Sequence, residues 1–548
     1  MPDSRGLKQA LDDAMLAFRV TDFSGGLNSE MDALDLDENA SPDCENVKIT
    51  KPGRLIGRDG YTKRISSLGS NPDGIAFFYD ATDSRRVVMW TAGNMYDVTG
   101  HTLTLIRASV YTVGQRVCSV ALNKILYYSD GYMPDGIRQW NGTTEQALVS
   151  SGDTGTIPTP ACKVMTSYAG SLVIGNLRYQ DGSTAPHAFQ WADVNDPTTI
   201  RGTNIQQVGQ GYGGEINCIL PLAVASTGVS PFRSLIVGKS QFGLYGYAGA
   251  LDSLEEFLIN CPAGVRDGET MRYLPGPDGS GYIVFLGTDY KLWAVNGTSA
   301  VELSGNIRTE LSRYVSARAE AVAGQRFTSV VNSADFQYIL DCGGRQYVYQ
   351  YDLKTWTRFT GWPSGHWVEA RDMFGNFALY CADRSGQSLS QCNYGTTDNG
   401  SAIVPYWKTP YIHCGDRHLL KTWQWIFVHW RTDDGNVVIT TTPNMEQGTA
   451  STKTLTPDPS GTDPTDDLIW DTGDWDEHDW AFSTLDTFLP YRQKARLTYQ
   501  PTGVNYKELV RGTDVTIKLS TTSSGSHFEI LGFTLLYLPR GRKRVAPL

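Results

Sequence analysis

Between residues 70 and 410 the chain repeats one pattern about every fifty residues. An aliphatic or aromatic run meets a turn, then a second run ends in Tyr or Trp and Gly or Asn-Gly follows. Copies begin at residues 87 (VVMWTAGNMYDVTG), 125 (ILYYSDGYMPDGIRQWNG), 171, 234, 282 (YIVFLGTDYKLWAVNG), 338 and 378. Runs of period two around a Gly- or Asp-rich turn read as β-hairpins. Their mean spacing matches the ~40–50 residues of a propeller blade. A lone blade cannot bury both faces, so such units close into a ring. The pattern predicts an irregular β-propeller of about seven hairpin units over 65–410. A set of β-sandwiches would instead give strands every ~8–12 residues with no long period. The widest gap, from 171 to 234, predicts a long inserted loop. One segment breaks the β texture. In residues 306–322, Ile307, Leu311, Tyr314 and Val315 share a helical face, which predicts one helix.

Composition agrees. The 548 residues are 40% hydrophobic, 11% aromatic and only 19% charged, and include 56 Gly. Charge lies below the ~25% of an average soluble protein. That balance fits a turn-rich, mainly β protein and argues against helical bundles and disorder. No apolar run approaches the ~18 residues of a membrane helix, so no membrane anchor is expected. Forty-seven basic residues face 58 acidic ones, a net charge of −11. A chain that grips DNA by its phosphates carries the opposite balance. The nine Cys include no C-x-x-C pair. They read as free thiols of a protein made in the cytoplasm, since the first twenty residues lack the apolar core of a signal peptide.

The flanks differ from the middle. Residues 1–20 read as a short amphipathic helix, with Leu7, Leu11, Ala14, Met15 and Phe18 at helical spacing. Residues 21–64 read as an extended arm with a hairpin turning at Pro52-Gly53. Residues 411–548 read as an antiparallel β platform domain, on which the arm hairpin is expected to pack. An acidic loop at 456–480 carries Trp470, Trp475 and Trp480 at five-residue spacing. It is read as a solvated loop pinned by aromatic anchors or as a contact surface, since Trp is enriched at interface hot spots.

No catalytic constellation emerges. The chain lacks a P-loop, G-x-S-x-G, H-E-x-x-H and a G-x-G-x-x-G after a strand. The acidic loop lacks the spacing of an EF-hand. His413, Cys414 and His418 read as ordinary polar residues at a domain boundary. No catalytic residue, metal site or cofactor is expected. Asn141-Gly and Asn296-Gly read as hairpin turns rather than glycosylation sites.

Five short motifs carry a resemblance. The arm reads F-S-G-G-L-N over 23–28, then Asn46-Val47, then R-D-G-Y over 58–61. The far end reads FEILGFTLLYLPRG over 528–541, and Val428-His429-Trp430 lies between. In this order, around a propeller-like middle, they resemble the nozzle, or packaged-DNA stabilisation, tail proteins of short-tailed bacteriophages. The resemblance implies a structural virion protein synthesised in the host cytoplasm. It implies a homohexameric ring in the tail, below the portal and its adaptor ring, that carries tail fibres or a needle. Such a ring extends the DNA channel, closes it after packaging and touches double-stranded DNA transiently and without sequence preference. Under it, Phe23, Leu27, Arg58, Tyr61, Trp470, Trp475 and Trp480 are candidate contacts to a neighbouring subunit or the adaptor. For the arm, packing on its own platform domain stands as the equal alternative. Gly209, Gly211, Gly213 and Gly214, within the insertion at 180–230, are candidates for a mobile loop closing the channel, against an ordinary blade loop. The competing function is a host-glycan-binding tail fibre or adhesin built on a propeller, and an enzyme would need two facing carboxylates in the propeller pit.

Overall fold

The computed structural model describes residues 15–132, 136–152, 155–158, 160–209, 212–224, 232–276, 281–322, 326–372, 374–415, 417–432, 436–443, 451–456, 489–499, 508–521 and 528–542. The chain divides into two compact units. One comprises Met1–Gly60, Thr355–Phe359 and Gly395–Leu548, and the other comprises Tyr61–Lys354 and Thr360–Tyr394.

The second unit is a seven-bladed β-propeller. Its sheets run in chain order, and each of the seven sequence repeats falls in a different one. The first blade is a meander of Pro72–Tyr79, Arg85–Thr91, Asn94–Asp97 and Thr104–Arg107. The first strand of every blade touches that of its neighbours, and the seventh touches the first, so the ring is closed. Closure uses a strand from before blade one. Tyr61–Ile65 pairs antiparallel with Ser388–Cys392 of the last blade, with Cys392 opposite Tyr61 and Leu389 opposite Ile65.

Local sequence accounts for the hairpins. Ala92-Gly93, Asn123-Lys124 and Ala169-Gly170 each form a two-residue turn with both φ angles positive. That geometry matches the right-handed twist of the flanking strands. The core lies between blades. Trp90 and Met95 of blade one pack with Leu126, Tyr128 and Trp140 of blade two. Phe189 of blade three packs with Leu235, Val237 and Tyr247 of blade four. Polar clasps add to this. Asp341 of blade six accepts hydrogen bonds from Ser364 Oγ, Gly365 N and Trp367 Nε1 at the start of blade seven.

The wide gap after residue 171 has a different origin from the expected loop. Among its described residues it is filled by long strands, Thr184–Asp193, Asp196–Gln207 and Ile216–Val224. The expected helix is present as Arg308–Ala321, between blades five and six, led in by a 3-10 turn at Ser304–Ile307. Ile307, Leu311 and Val315 are its buried face, and Tyr314 packs edge-on to Tyr347 at 6.3 Å.

Among the described residues the first unit holds two larger antiparallel sheets and a short parallel pair of Gly26–Leu27 with Ala40–Ser41. Its largest is organised by two long strands, Leu419–Thr432 and Phe528–Arg542, which pair along their length with three register irregularities. Ile426, Val428 and Trp430 on one strand and Ile530, Phe533 and Leu535 on the other are buried, while alternate residues are less so. One covered face is the usual condition of an antiparallel sheet. The second sheet joins Asp43–Glu45, Tyr406–Lys408, Val515–Ser520, Val437–Pro443 and Ser451–Leu455 in that order. The arm hairpin is present as Val47–Ile49 and Leu55–Gly57, with Gly53 at φ +79° in its turn.

The predicted N-terminal helix needs correction at its end. Leu16–Val20 is a strand paired with Phe533–Tyr537, because hydrogen bonding to an existing sheet edge outweighs the helical spacing of a segment too short to be helical alone. Residues 1–14 of that expectation lie outside the described residues, as do Trp470, Trp475, Trp480, nearly all of the acidic loop and Gly211.

Candidate functional site

The arm motifs are explained by close approach. Gly26 has φ +65°, and a Cβ there would lie 1.7 Å from Thr355 Oγ1. A Cβ on Gly60 would lie 1.9 Å from Thr397 O. Leu27 pairs beside Ser41, and Asn28 Oδ1 accepts from the backbone N–H groups of Glu30 and Met31. Asn46 and Arg58 meet each other. Arg58 Nε donates to Asn46 Oδ1 at 2.8 Å, and its guanidinium forks onto Asp398 at 2.9 and 2.6 Å. Beside this pair Arg358 bridges Asp43 and Glu45, at 2.7 and 3.3 Å.

Of the sequence candidates, Phe23 and Leu27 are fully buried inside this unit, with Phe23 edge-on to Trp407 at 5.4 Å. They offer no surface to a partner, so as contact residues they are corrected to internal anchors. Arg58 is buried and spent on Asn46 and Asp398 in the same way. Tyr61 belongs to the propeller and sits in its closing strand. The alternative held for the arm, packing on its own platform, is the arrangement the strands adopt.

The glycine loop is tightly fitted where it is described. Gly213 O accepts from Gln241 N and Phe242 N, and a Cβ on Gly213 would lie 2.2 Å from Phe242 O. A Cβ on Gly214 would lie 2.4 Å from Ser240 Oγ, and one on Gly209 2.3 Å from the Tyr245 hydroxyl. All three glycines have positive φ. They allow close packing of the loop on the 240–245 turn and leave Tyr212 and Phe242 exposed.

The concave site of the propeller is its axial cavity, about 460 Å³ and lined by the first strands of all seven blades. Sequence reasoning found none of its polar residues. Glu269 Oε1 accepts from His366 Nδ1 at 3.0 Å and lies 3.0 Å from Arg116 Nε. Arg272 donates through Nε and Nη2 to Ser329 O at 3.1 and 2.7 Å. A second lining carboxylate, Glu369, accepts from Ser333 N and Oγ. Burial alone would push the Glu269 carboxyl up, yet His366 and Arg116 outweigh it and hold the group well below the usual carboxylate range. Glu269 is therefore an acceptor. At nearby Asp267 burial outweighs the pull of Arg266 and Arg116 and pushes the carboxyl up to about 7.

All nine Cys are free, and all but Cys261 and Cys414 are buried. Among the described residues no three His, Cys, Asp or Glu side chains gather as a metal site requires, and no helix is long and apolar enough to cross a membrane.

No family model and no curated protein matches this chain. Among solved structures it is similar to BBS1N crystallised in complex with ARL6DN, at 11% identity and a TM-score of 0.40, over 62% of this chain and 99% of that one. It is also similar to the extracellular domain of a putative one-component system from B. thetaiotaomicron, at 12% identity and 0.36, over 67% and 42%. A chain of the Mitotic Checkpoint Complex matches at 14% identity and 0.38, over 67% and 99%. At these scores the likenesses carry no argument, and the propeller rests on its own strand pairing.

Proposed function

We propose that this protein is the tail nozzle of a short-tailed bacteriophage. In this reading it is a structural subunit of a homohexameric ring below the portal and adaptor, in the virion tail. The ring extends the DNA channel, helps to close it after packaging and conducts the genome during ejection. One observation carries the reading. Apart from Tyr61, the motifs of the resemblance fall in one unit, and the strands that hold Val47, Val428–Trp430 and the closing segment join in one sheet. Ile56 and Leu55, beside the R-D-G-Y motif, pair with Glu529 and Ile530 of the closing strand. Motifs so far apart in sequence thus describe one structural object.

Size adds a constraint on where DNA would run. A cavity of about 460 Å³ is in the range of a small-molecule pocket. It cannot pass a duplex whose major groove alone is ~12 Å wide. In this proposal the channel lies between subunits and not along the propeller axis. A net charge of −11 suits a conduit, since lysine and arginine contacts to phosphate would retain a passing genome.

Deleting the gene and imaging the resulting particles tests the reading. Empty or leaking heads with a truncated tail are the expected result. DNA-filled particles with complete tails that fail to adsorb would overturn it in favour of a glycan-binding fibre.

A further inference from the structure

The axial cavity ends in buried polar atoms whose hydrogen bonding is incomplete. His366 keeps only 3% of its side chain exposed and lines the cavity. Its Nδ1 faces the Glu269 carboxylate and donates to it, while Nε2 accepts in the neutral ring and donates in the imidazolium. Nε2 is buried with no hydrogen-bond partner among the described residues. Glu269 Oε2 is in the same condition. Arg116 Nε lies close to Glu269 Oε1, but its N–H makes no aligned bond. A carboxylate acceptor, a guanidinium donor and a ring nitrogen that can serve as either are thus gathered at one place. Each such buried group costs about 1–3 kcal/mol if left unmade, and native structures rarely carry several together.

The pattern selects a ligand class. An anion brings only acceptors and would confront Glu269. A cation would confront Arg116 and Arg272, both on the cavity wall. Hydroxyl groups donate and accept, and satisfy both kinds of partner at once. The wall also carries Val164, Met165, Ile219 and Val330, which suit the C–H faces of a compact molecule. The volume of about 460 Å³ is more than ten times the ~30 Å³ share of one water. Solvent reaches the polar end, where Arg116 keeps 29% of its side chain exposed and Glu269 14%.

We propose that the axial cavity binds a small neutral polyol of the saccharide class, whose hydroxyls donate to Glu269 Oε2, accept from Arg116 and pair with His366 Nε2. The site is independent of the nozzle reading: particle assembly and sugar binding are separate readouts, and either can fail alone.

The test uses the full chain, titrated with D-glucose, D-galactose, glycerol and sodium phosphate by saturation-transfer NMR and calorimetry. At least one of the three polyols is expected to bind with a Kd of about 1 mM or tighter. Glu269→Gln and His366→Phe are each expected to weaken it about tenfold or more, a change of ~1.4 kcal/mol. Binding of phosphate without any polyol would overturn the proposal in favour of an anion site. Binding of nothing would overturn it in favour of a water-filled core. Polyol binding unchanged in both folded variants would place it elsewhere and overturn it too. If a variant does not fold, a crystal of the unaltered chain soaked with the bound sugar decides: density in the axial cavity against Glu269 Oε2 and His366 Nε2 upholds the site, and density elsewhere overturns it.

Discussion

Arg116 Nε lies 3.0 Å from Glu269 Oε1, although the two residues stand at the entrances to the second and fifth blades of a seven-bladed ring. The pair reaches across the propeller axis. With His366 at the start of blade seven and Arg272 bonded to Ser329 of blade six, it links four blades around one carboxylate. Adjacent blades are already joined by their apolar faces, so these ties matter most between blades that are not neighbours.

Removing Arg116 should loosen the ring. Arg116→Met leaves Glu269 buried with the His366 Nδ1–H as its remaining side-chain donor, and a loss of about 1–3 kcal/mol is expected. The figure is set low because Arg116 is partly exposed and screened by solvent. In a double-mutant cycle with Glu269→Gln, urea unfolding of the propeller should give a coupling of about 1 kcal/mol or more. Additive losses would show that the pair is incidental.

Asp267 gives a pH dependence of opposite sense to an ordinary carboxylate. Its folded pKa, about 7, stands above the ordinary value of 3.8 because burial disfavours the charged form. The folded state then binds a proton that the unfolded state has released. Stability should fall as pH rises from about 4 to 7, by roughly 1–3 kcal/mol, and level off above that. Asp267→Asn keeps an oxygen to accept from Phe327 N and removes the titration. Melting temperatures measured from pH 5 to 8 should drop for the unaltered chain and stay flatter for the variant.

Gly213 and Gly182 share φ +85° but differ in surroundings. A Cβ at Gly182 meets nothing within 4 Å, whereas one at Gly213 meets Phe242 O at 2.2 Å. Gly182→Ala should cost only the left-handed backbone term, about 1 kcal/mol. Gly213→Ala should cost distinctly more and expose the 240–245 turn to limited proteolysis. Equal melting temperatures for the two variants would contradict the close fit of that loop.

Arg58 holds the arm. Its side chain is fully buried, and Asp398 opposite it is 11% exposed. Arg58→Ala strands that carboxylate, at an expected cost of about 3–5 kcal/mol. Arg58→Lys should rescue little, since an ammonium cannot form the two-pronged contact. Denaturant unfolding followed in the first unit checks both. Full rescue by lysine would mean that only the charge matters.

The hairpins were legible in the sequence because their turns carry residues that tolerate positive φ and their strands alternate. The first strand of each blade was harder to see. Ala161–Tyr168 and Ile216–Val224 pack among neighbours on the axis and show no clean alternation. The axial cluster was not visible at all. Glu269 sits in DGETMR and His366 in SGHWVE, ordinary stretches that only ring closure brings together. The arm showed the reverse. Its glycines and Arg58 stood out as a motif, but sequence could not say whether they faced a partner or their own unit. Burial of Phe23, Leu27 and Arg58 answers that, because a wholly buried side chain is already committed.

The strand that closes the propeller, Tyr61–Ile65, is synthesised before any blade, and its partner Ser388–Cys392 follows about 320 residues later. At 5–20 residues per second the nascent chain waits roughly 15 seconds to a minute with that edge unsatisfied. Unsatisfied edges recruit other chains. Lys63 and Arg64, in the middle of the waiting strand, supply the charge that discourages such pairing until the last blade leaves the ribosome. Biogenesis of this protein is therefore paced by its final blade, and a pause or truncation before residue 388 yields a ring that has every early blade and no means of shutting.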